Sequence, residues 1–242
     1  EVVSLNTSNA LTPSGSKLGR EDVESSKHAL GKWSIQEVKS WITQKSIQLV
    51  LGVVILVKLH DVFVESMLQS YLINHLHLEV DTVGILYKSF GFAASVVGGL
   101  LGAWLLVRLG VYFMIGGAIL LKLIAMMIFT FTIYSNQENM LALTALAITI
   151  ESFASGWTAT IVVVLMSRIC QKAYAASQYA FLTSLVFALK VGIGPVAASV
   201  VYAYGWDGFF ALSVLSLAPP CLLLATKRIR DAVAVYSVIR ES

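Results

Sequence analysis

Charge is scarce in this sequence. Of its 242 residues only 13% are Asp, Glu, Lys or Arg, whereas about a quarter of the residues of a typical soluble domain are charged. Hydrophobic residues make up 57% of the chain, and the mean hydropathy is +0.78. This composition excludes a soluble globular enzyme. The excess of 17 Lys and Arg over 14 Asp and Glu is too small to indicate a nucleic-acid partner.

Cysteine and short catalytic motifs are also nearly absent. Cys170 and Cys221 are the two cysteines, and their separation fits neither a metal site nor a small disulfide framework, so we expect both to be reduced. The sequence contains no HExxH, GxSxG, P-loop or GxGxxG motif. We therefore predict no catalytic residue, metal or cofactor, and a membrane-integral enzyme is the weakest alternative.

Long apolar runs, in contrast, are abundant. About 20 apolar residues suffice for a helix to cross the roughly 30 Å hydrocarbon core of a bilayer. Six such runs occur at residues 46–73, 82–107, 110–134, 140–167, 174–203 and 208–226. The sequence therefore predicts an all-α polytopic membrane protein with six transmembrane helices.

The basic residues outside these runs lie on one side of the predicted membrane. Six precede the first span, and one, two and four follow the second, fourth and sixth spans, whereas the three opposite loops have none. Basic loops stay in the cytoplasm, so we expect both termini there. Residues 1–45 are then a cytoplasmic linker, and 227–242 are a cytoplasmic tail.

The start of the chain is polar and has no apolar signal segment. Because it opens at Glu1 rather than Met, we expect a fragment or a processed piece. Ser34 and Glu37 form a capping box that predicts a short interfacial helix containing Trp41. Alternatively, this segment forms the first turns of the following span.

Seven ionisable residues lie inside the predicted spans. A lipid-facing charge at the centre of a span costs about 2.5–3.5 kcal/mol, so these side chains are expected to face one another or water. Such residues usually mark a solute or ion pathway. They are Lys58, Asp61, Glu65, Lys88, Lys122, Glu151 and Lys190.

A polar stripe on the first span predicts the wall of an aqueous cavity. At 100° per residue, Lys58, Asp61, Glu65 and Gln69 fall within an arc of about 80°, while His60 points elsewhere. Lys58 and Asp61 are close enough to pair. Alternatively, that pair only locks helix packing, and Glu65 and Gln69 are interfacial.

Glu151 and Lys190 are candidates for proton and anion binding. Glu151 lies near the middle of the fourth span, where a carboxyl group that is neutral when occluded and charged when hydrated could carry a proton; a structural ion pair is the alternative. Lys190 precedes the segment 192–195, whose Gly and Pro residues predict a loosened helix next to a cavity. Lys88 is a similar anion-binding candidate, and Lys122 has no assigned role.

Several motifs support a family resemblance. The segment from Gly102 to Gly110, with Arg108, resembles a cytoplasmic loop motif of the major facilitator superfamily, although Val107 stands where that motif usually has Asp. Lys58-Leu59-His60-Asp61 resembles the Lys-Leu-Gly-Asp stretch of AmpG-type muropeptide permeases. Glu151 with 156–159 and Lys190 with 194–197 resemble their later helices, although Lys190 replaces a usual arginine. The likeness covers about residues 46–226 and corresponds to the last six of twelve helices.

This resemblance implies the C-terminal half of a proton-coupled carrier in the bacterial inner membrane. Such a permease imports N-acetylglucosaminyl-anhydromuramyl peptides for cell-wall recycling. Its partners are the muropeptide, protons, the lipid bilayer and an N-terminal six-helix half, and residues 1–45 are the loop between the halves. The first, second, fourth and fifth helices of this half line the cavity, and the third and sixth are peripheral.

On this interpretation Glu151, or else Asp61, couples the proton. The substrate pathway comprises Lys58, Asp61, Glu65, Lys88, Glu151 and Lys190, whose lysines attract substrate carboxylates. One alternative is a split or degenerate carrier half that acts as a non-transporting membrane interaction subunit. Another is a paralogue that carries a different small solute.

Overall fold

The computed structural model describes residues 40–171 and 174–225. Helices and short connections account for these ranges, and no strand occurs in them. The predicted linker up to residue 39, including the capping box at Ser34, and the predicted tail from 227 lie outside the described residues. The helices are α1 (Lys45–Ser70), α2 (Val80–Ile85), α3 (Phe92–Ile133), α4 (Gln137–Ile169), α5 (Ala175–Leu215) and α6 (Ala218–Ala225).

Two π-helical segments extend this set. Tyr71–His75 continues α1, and Leu86–Gly91 joins α2 to α3. As a result, the described residues contain four helical stretches that are long and apolar enough to cross a membrane: Ile47–His75, Val80–Ile133, Asn139–Ile169 and Ala175–Leu222. For the part of the chain that the structure describes, the prediction of an all-helical, multi-pass membrane protein is therefore confirmed, while the number six stays a prediction.

Two glycines with positive φ interrupt the longest stretches. Gly110 (φ 78°, ψ 162°) divides α3 into a first arm, 92–109, and a second arm, 111–133. Gly205 (φ 68°, ψ −170°) divides α5 in the same way, into 175–204 and 206–215. Glycine adopts these angles without the steric penalty of a side chain. Gly205 lies in the predicted loop 204–207, and Gly110 directly follows the predicted loop at 108–109.

Two apolar cores are stacked along the helices. The first includes Val54, Ile115 and Leu165, and the second includes Leu72 and Phe129. On α1 the first core ends at 57 and the second begins at 63, and similar gaps occur on α3, α4 and α5. Lys58 and Asp61 on α1, Lys122 on α3, Glu151 on α4 and Lys190 on α5 lie in these gaps, at one level between the two cores.

The structure departs from the predictions at three places. The backbone of α5 stays helical through Pro195, so the expected loosening at 192–195 is absent. The predicted sixth span is interrupted at Ser216 and Leu217, after which Pro219 and Pro220 lie in the first turn of α6, where a missing N–H costs least. Trp41 is buried and donates a hydrogen bond from Nε1 to the carbonyl of Ile169 at 3.2 Å, so it contacts protein.

Candidate functional site

A buried lysine joins two acids from different helices. Lys122, on the second arm of α3, contacts Asp61 Oδ1 on α1 through its Nζ, and the same Nζ lies 3.4 Å from Glu151 Oε1 on α4. Asp61 also accepts a hydrogen bond from Lys58 Nζ at 2.9 Å through Oδ2. We call these four residues, Lys58, Asp61, Lys122 and Glu151, the buried network.

The buried network is almost fully removed from solvent. The side chains of Asp61 and Lys122 are each 2% exposed, that of Glu151 is 6% exposed, and that of Lys58 is 19% exposed. Taking a single charge out of water costs several kcal/mol, which only a well-paired arrangement can offset. With two lysines and two ionised carboxylates, the network has no net formal charge.

Close contact between two backbones places Glu151. A Cβ at Gly98 would collide with the carbonyl oxygen of Phe153, and a Cβ at Gly156 would collide with that of Ser95. Because both positions are glycine, the first arm of α3 lies directly against α4. This contact brings Glu151, which is less than two turns from Gly156, beside the helices that carry the other charges.

A cavity of about 320 Å³ opens beside the buried network. Its polar lining comes from α1, the π-helical segment Leu86–Gly91, α3, α4 and α5. The polar lining residues are Glu65, Gln69, Tyr87, Ser95, Glu151, Ser152, Ser155 and Lys190. Its volume is near the lower end of the range for small-molecule pockets, roughly 300–1,000 Å³. The cavity is therefore large enough for one end of an extended solute.

The two oxygens of Glu151 have different surroundings. Oε1 faces Lys122, whereas Oε2 has no hydrogen-bond partner among the residues that the structure describes. A buried polar atom without a partner is costly, and such atoms are often found where a proton or a ligand binds. Since Glu151 also lines the cavity, its carboxyl group connects the cavity to the buried network.

An ion pair between α1 and α5 lies at the cavity. Lys190 Nζ is 3.0 Å from Glu65 Oε2, and the two side chains are 53% and 45% exposed. A half-exposed pair of this kind contributes little to stability, about 0–1 kcal/mol. It can therefore open at low cost when a charged group enters the cavity.

Comparison with known proteins finds several whose sequences are similar to this chain. No family model matches the chain. It is 28% identical over 203 residues to the anhydromuropeptide permease of Escherichia coli strain K12, covering 80% of this chain and 39% of the permease. It is also 28% identical over 191 residues to a Rickettsia conorii protein named as transporter AmpG 4, covering 78% and 45% of the two chains. The resemblance to AmpG-type permeases is confirmed. The chain spans about two fifths of the length of these relatives.

The structure brings most of the predicted pathway residues together. Lys58, Asp61 and Glu151 are in the buried network, and Glu65 and Lys190 pair at the cavity. Lys88 is different, because it is exposed on the segment Leu86–Gly91 and is not among the described residues that line the cavity. His60 points away from the stripe, as predicted, and its Nδ1 lies 3.0 Å from both Ser213 O and Ser216 Oγ.

Lys122 is the residue of the buried network to which the sequence analysis assigns no role. The resemblance to AmpG-type permeases implies that the third predicted helix is peripheral, but Lys122 on that helix is at the centre of the buried network. The implication is therefore wrong for this residue. Its position at the same depth as Glu151 was a usable signal, since a lysine in mid-span needs an acidic partner at its own level.

Proposed function

We propose that this chain is the C-terminal six-helix half of a proton-coupled permease of the major facilitator type, located in the bacterial inner membrane. Its solute is a muropeptide of the N-acetylglucosaminyl-anhydromuramyl peptide class. The observation that carries this proposal is the buried network beside a cavity that can hold one end of an extended solute. The similarity to proteins named as anhydromuropeptide permease and AmpG transporters supports the solute class.

The helix breaks support six spans. Val80–Ile133 has 54 residues and Ala175–Leu222 has 48, which would give straight helices of about 80 and 70 Å at 1.5 Å per residue. Both lengths are more than twice the roughly 30 Å of the hydrocarbon core. In our proposal each stretch crosses twice and reverses at Gly110 or Gly205, which keeps both termini in the cytoplasm.

The proposed mechanism is alternating access around the mid-depth cavity. The N-terminal half forms the opposite wall, in agreement with the chain covering 39–45% of its relatives. Glu151 takes up a proton at Oε2 when the cavity is hydrated, while Lys122 holds Oε1. The lysines at positions 58, 88 and 190 attract the carboxylates of the solute. Asp61 is the second candidate for the coupling carboxylate.

The test is uptake of labelled anhydromuropeptide into proteoliposomes with an imposed pH gradient. One preparation contains this chain together with the N-terminal half, and a matched preparation contains this chain alone. We expect gradient-driven uptake only when both halves are present. Absence of uptake from both preparations would contradict the proposal and favour a carrier of another solute or a non-transporting membrane subunit.

A further inference from the structure

The ion pairs of the described residues join equal numbers of positive and negative side chains. Lys58, Lys122 and Lys190 pair with Asp61, Glu65 and Glu151. Two further titratable side chains lie close by: His60, which is held by Ser213 and Ser216, and Tyr87, which lines the cavity. With His60 and Tyr87 neutral and all six partners ionised, the cavity region has no net formal charge.

Binding of a proton to Glu151 raises the net formal charge of the cavity region by one. The proton would bind at Oε2, the oxygen without a partner among the described residues, and it would cancel the negative charge that Lys122 faces through Oε1. Lys122 would keep its contact with Asp61, which Lys58 also neutralises. The buried network would then carry a single positive charge, and solvent screens a buried charge far less than an exposed one.

We propose that protonation of Glu151 turns the cavity into a site for one carboxylate group of the solute, so that a proton and a negative charge bind together. This inference rests on the function proposed above, and it specifies how the proton and the solute are coupled. The protonated Oε2 donates a hydrogen bond to the incoming carboxylate, and the hydroxyl groups of Tyr87, Ser152 and Ser155 are further donors from the cavity wall. No covalent bond to the solute is made or broken.

In this scheme Lys122 is a positioning residue. It is 2% exposed and does not line the cavity, so it acts on the solute through Glu151 and through the charge of the network. Binding linkage is reciprocal. If a proton favours the anion, the anion must favour the proton to the same extent.

The inference is tested by measuring the dissociation constant of the assembled carrier in nanodiscs between about pH 5 and pH 8. One probe is labelled anhydromuropeptide with free carboxylates, and the other is its carboxamide derivative. Uptake of one proton per anion predicts that the affinity for the free acid rises about tenfold for each unit by which the pH falls, over the range in which Glu151 titrates. The carboxamide is expected to bind with no such slope.

Variants separate Glu151 from the other titratable groups. Glu151→Gln keeps the positive charge permanently, so the free acid is expected to bind tightly at every pH. Lys122→Met is expected to weaken binding of the free acid at least tenfold at low pH. Because that variant leaves buried carboxylates without their lysine, the double variant Lys122→Met/Glu151→Gln, which restores neutrality, is measured as well. It is expected to bind weakly and without a pH slope.

Lys45→Gln is the matched control, since Lys45 is an exposed lysine at the start of α1 and belongs to none of the ion pairs of the described residues, and it should keep the slope. The inference is overturned if the wild-type affinity does not depend on pH, if the carboxamide shows the same slope, or if Glu151→Gln retains the slope. Retention by Glu151→Gln would assign the titration to His60 or another group. Failure of both probes to bind at any pH would instead contradict the proposed function.

Discussion

Lys122 contacts the carboxylate of Asp61 across the interface between α3 and α1, and both side chains are 2% exposed. This contact lies between the two apolar cores. A pair in such surroundings is stable only while both partners are charged. The structure therefore depends on Lys122, because this residue neutralises Asp61 and also faces Glu151.

Replacing Lys122 alone should destabilise the protein. In Lys122→Met the carboxylates of Asp61 and Glu151 lose a buried cation, and breaking a buried pair in this way typically costs about 3–5 kcal/mol. Thermal unfolding of the detergent-solubilised protein, followed by circular dichroism, would measure the loss. Lys88→Gln removes an exposed lysine and should leave the unfolding temperature unchanged. An equal unfolding temperature for Lys122→Met and the wild type would show that the contact is not stabilising.

Glu151→Gln should uncouple transport from the pH gradient. The amide keeps the shape of the side chain but cannot exchange a proton, so gradient-driven uptake is expected to vanish while counterflow exchange of labelled and unlabelled muropeptide continues. Both quantities can be measured in the same proteoliposomes. Survival of driven uptake would assign the coupling to a different group, and Asp61→Asn would then be the next variant to measure.

Periodicity and hydropathy predict each helix well but say little about its neighbours. The stripe of Lys58, Asp61 and Glu65 follows from the 100° rotation per residue within one helix, but only Glu65 of these three lines the cavity, while Lys58 and Asp61 lie in the buried network. The contact of Lys190 with Glu65 joins helices far apart in sequence. Such a contact depends on the relative depth and rotation of two helices, which one sequence does not contain.

Lys122 illustrates the same limit. Its own helix is apolar around it, so no stripe indicated which way the side chain points, and only the packing of α3 against α1 and α4 brings it to Asp61 and Glu151. The break at Gly110 was easier to anticipate, because a positive φ is a local property that favours glycine. Local features were thus predictable, and the partners of buried charges were not.

Lys190→Gln should affect transport more than stability. The pair with Glu65 is about half exposed, so its loss should change the free energy of unfolding by no more than about 1 kcal/mol. If Lys190 attracts the solute, however, the KM for uptake should rise several-fold. Initial uptake rates at increasing solute concentration would give the KM. A KM equal to that of the wild type would show that Lys190 does not bind the solute and that it only forms an ion pair with Glu65.

The contact between α3 and α4 can be tested with two adjacent glycines. A methyl group at Gly98 would meet the backbone carbonyl of Phe153, which cannot move without shifting α4, whereas at Gly99 the nearest atoms are 3.8 Å away, an ordinary contact distance. Overpacking of this kind typically costs about 1–3 kcal/mol. Gly98→Ala should therefore lower the unfolding temperature and, by displacing Glu151 from Lys122, reduce gradient-driven uptake. Gly99→Ala adds the same methyl group to the same helix and should change neither quantity. If the two variants behaved alike, the close approach of these backbones would not be what positions Glu151.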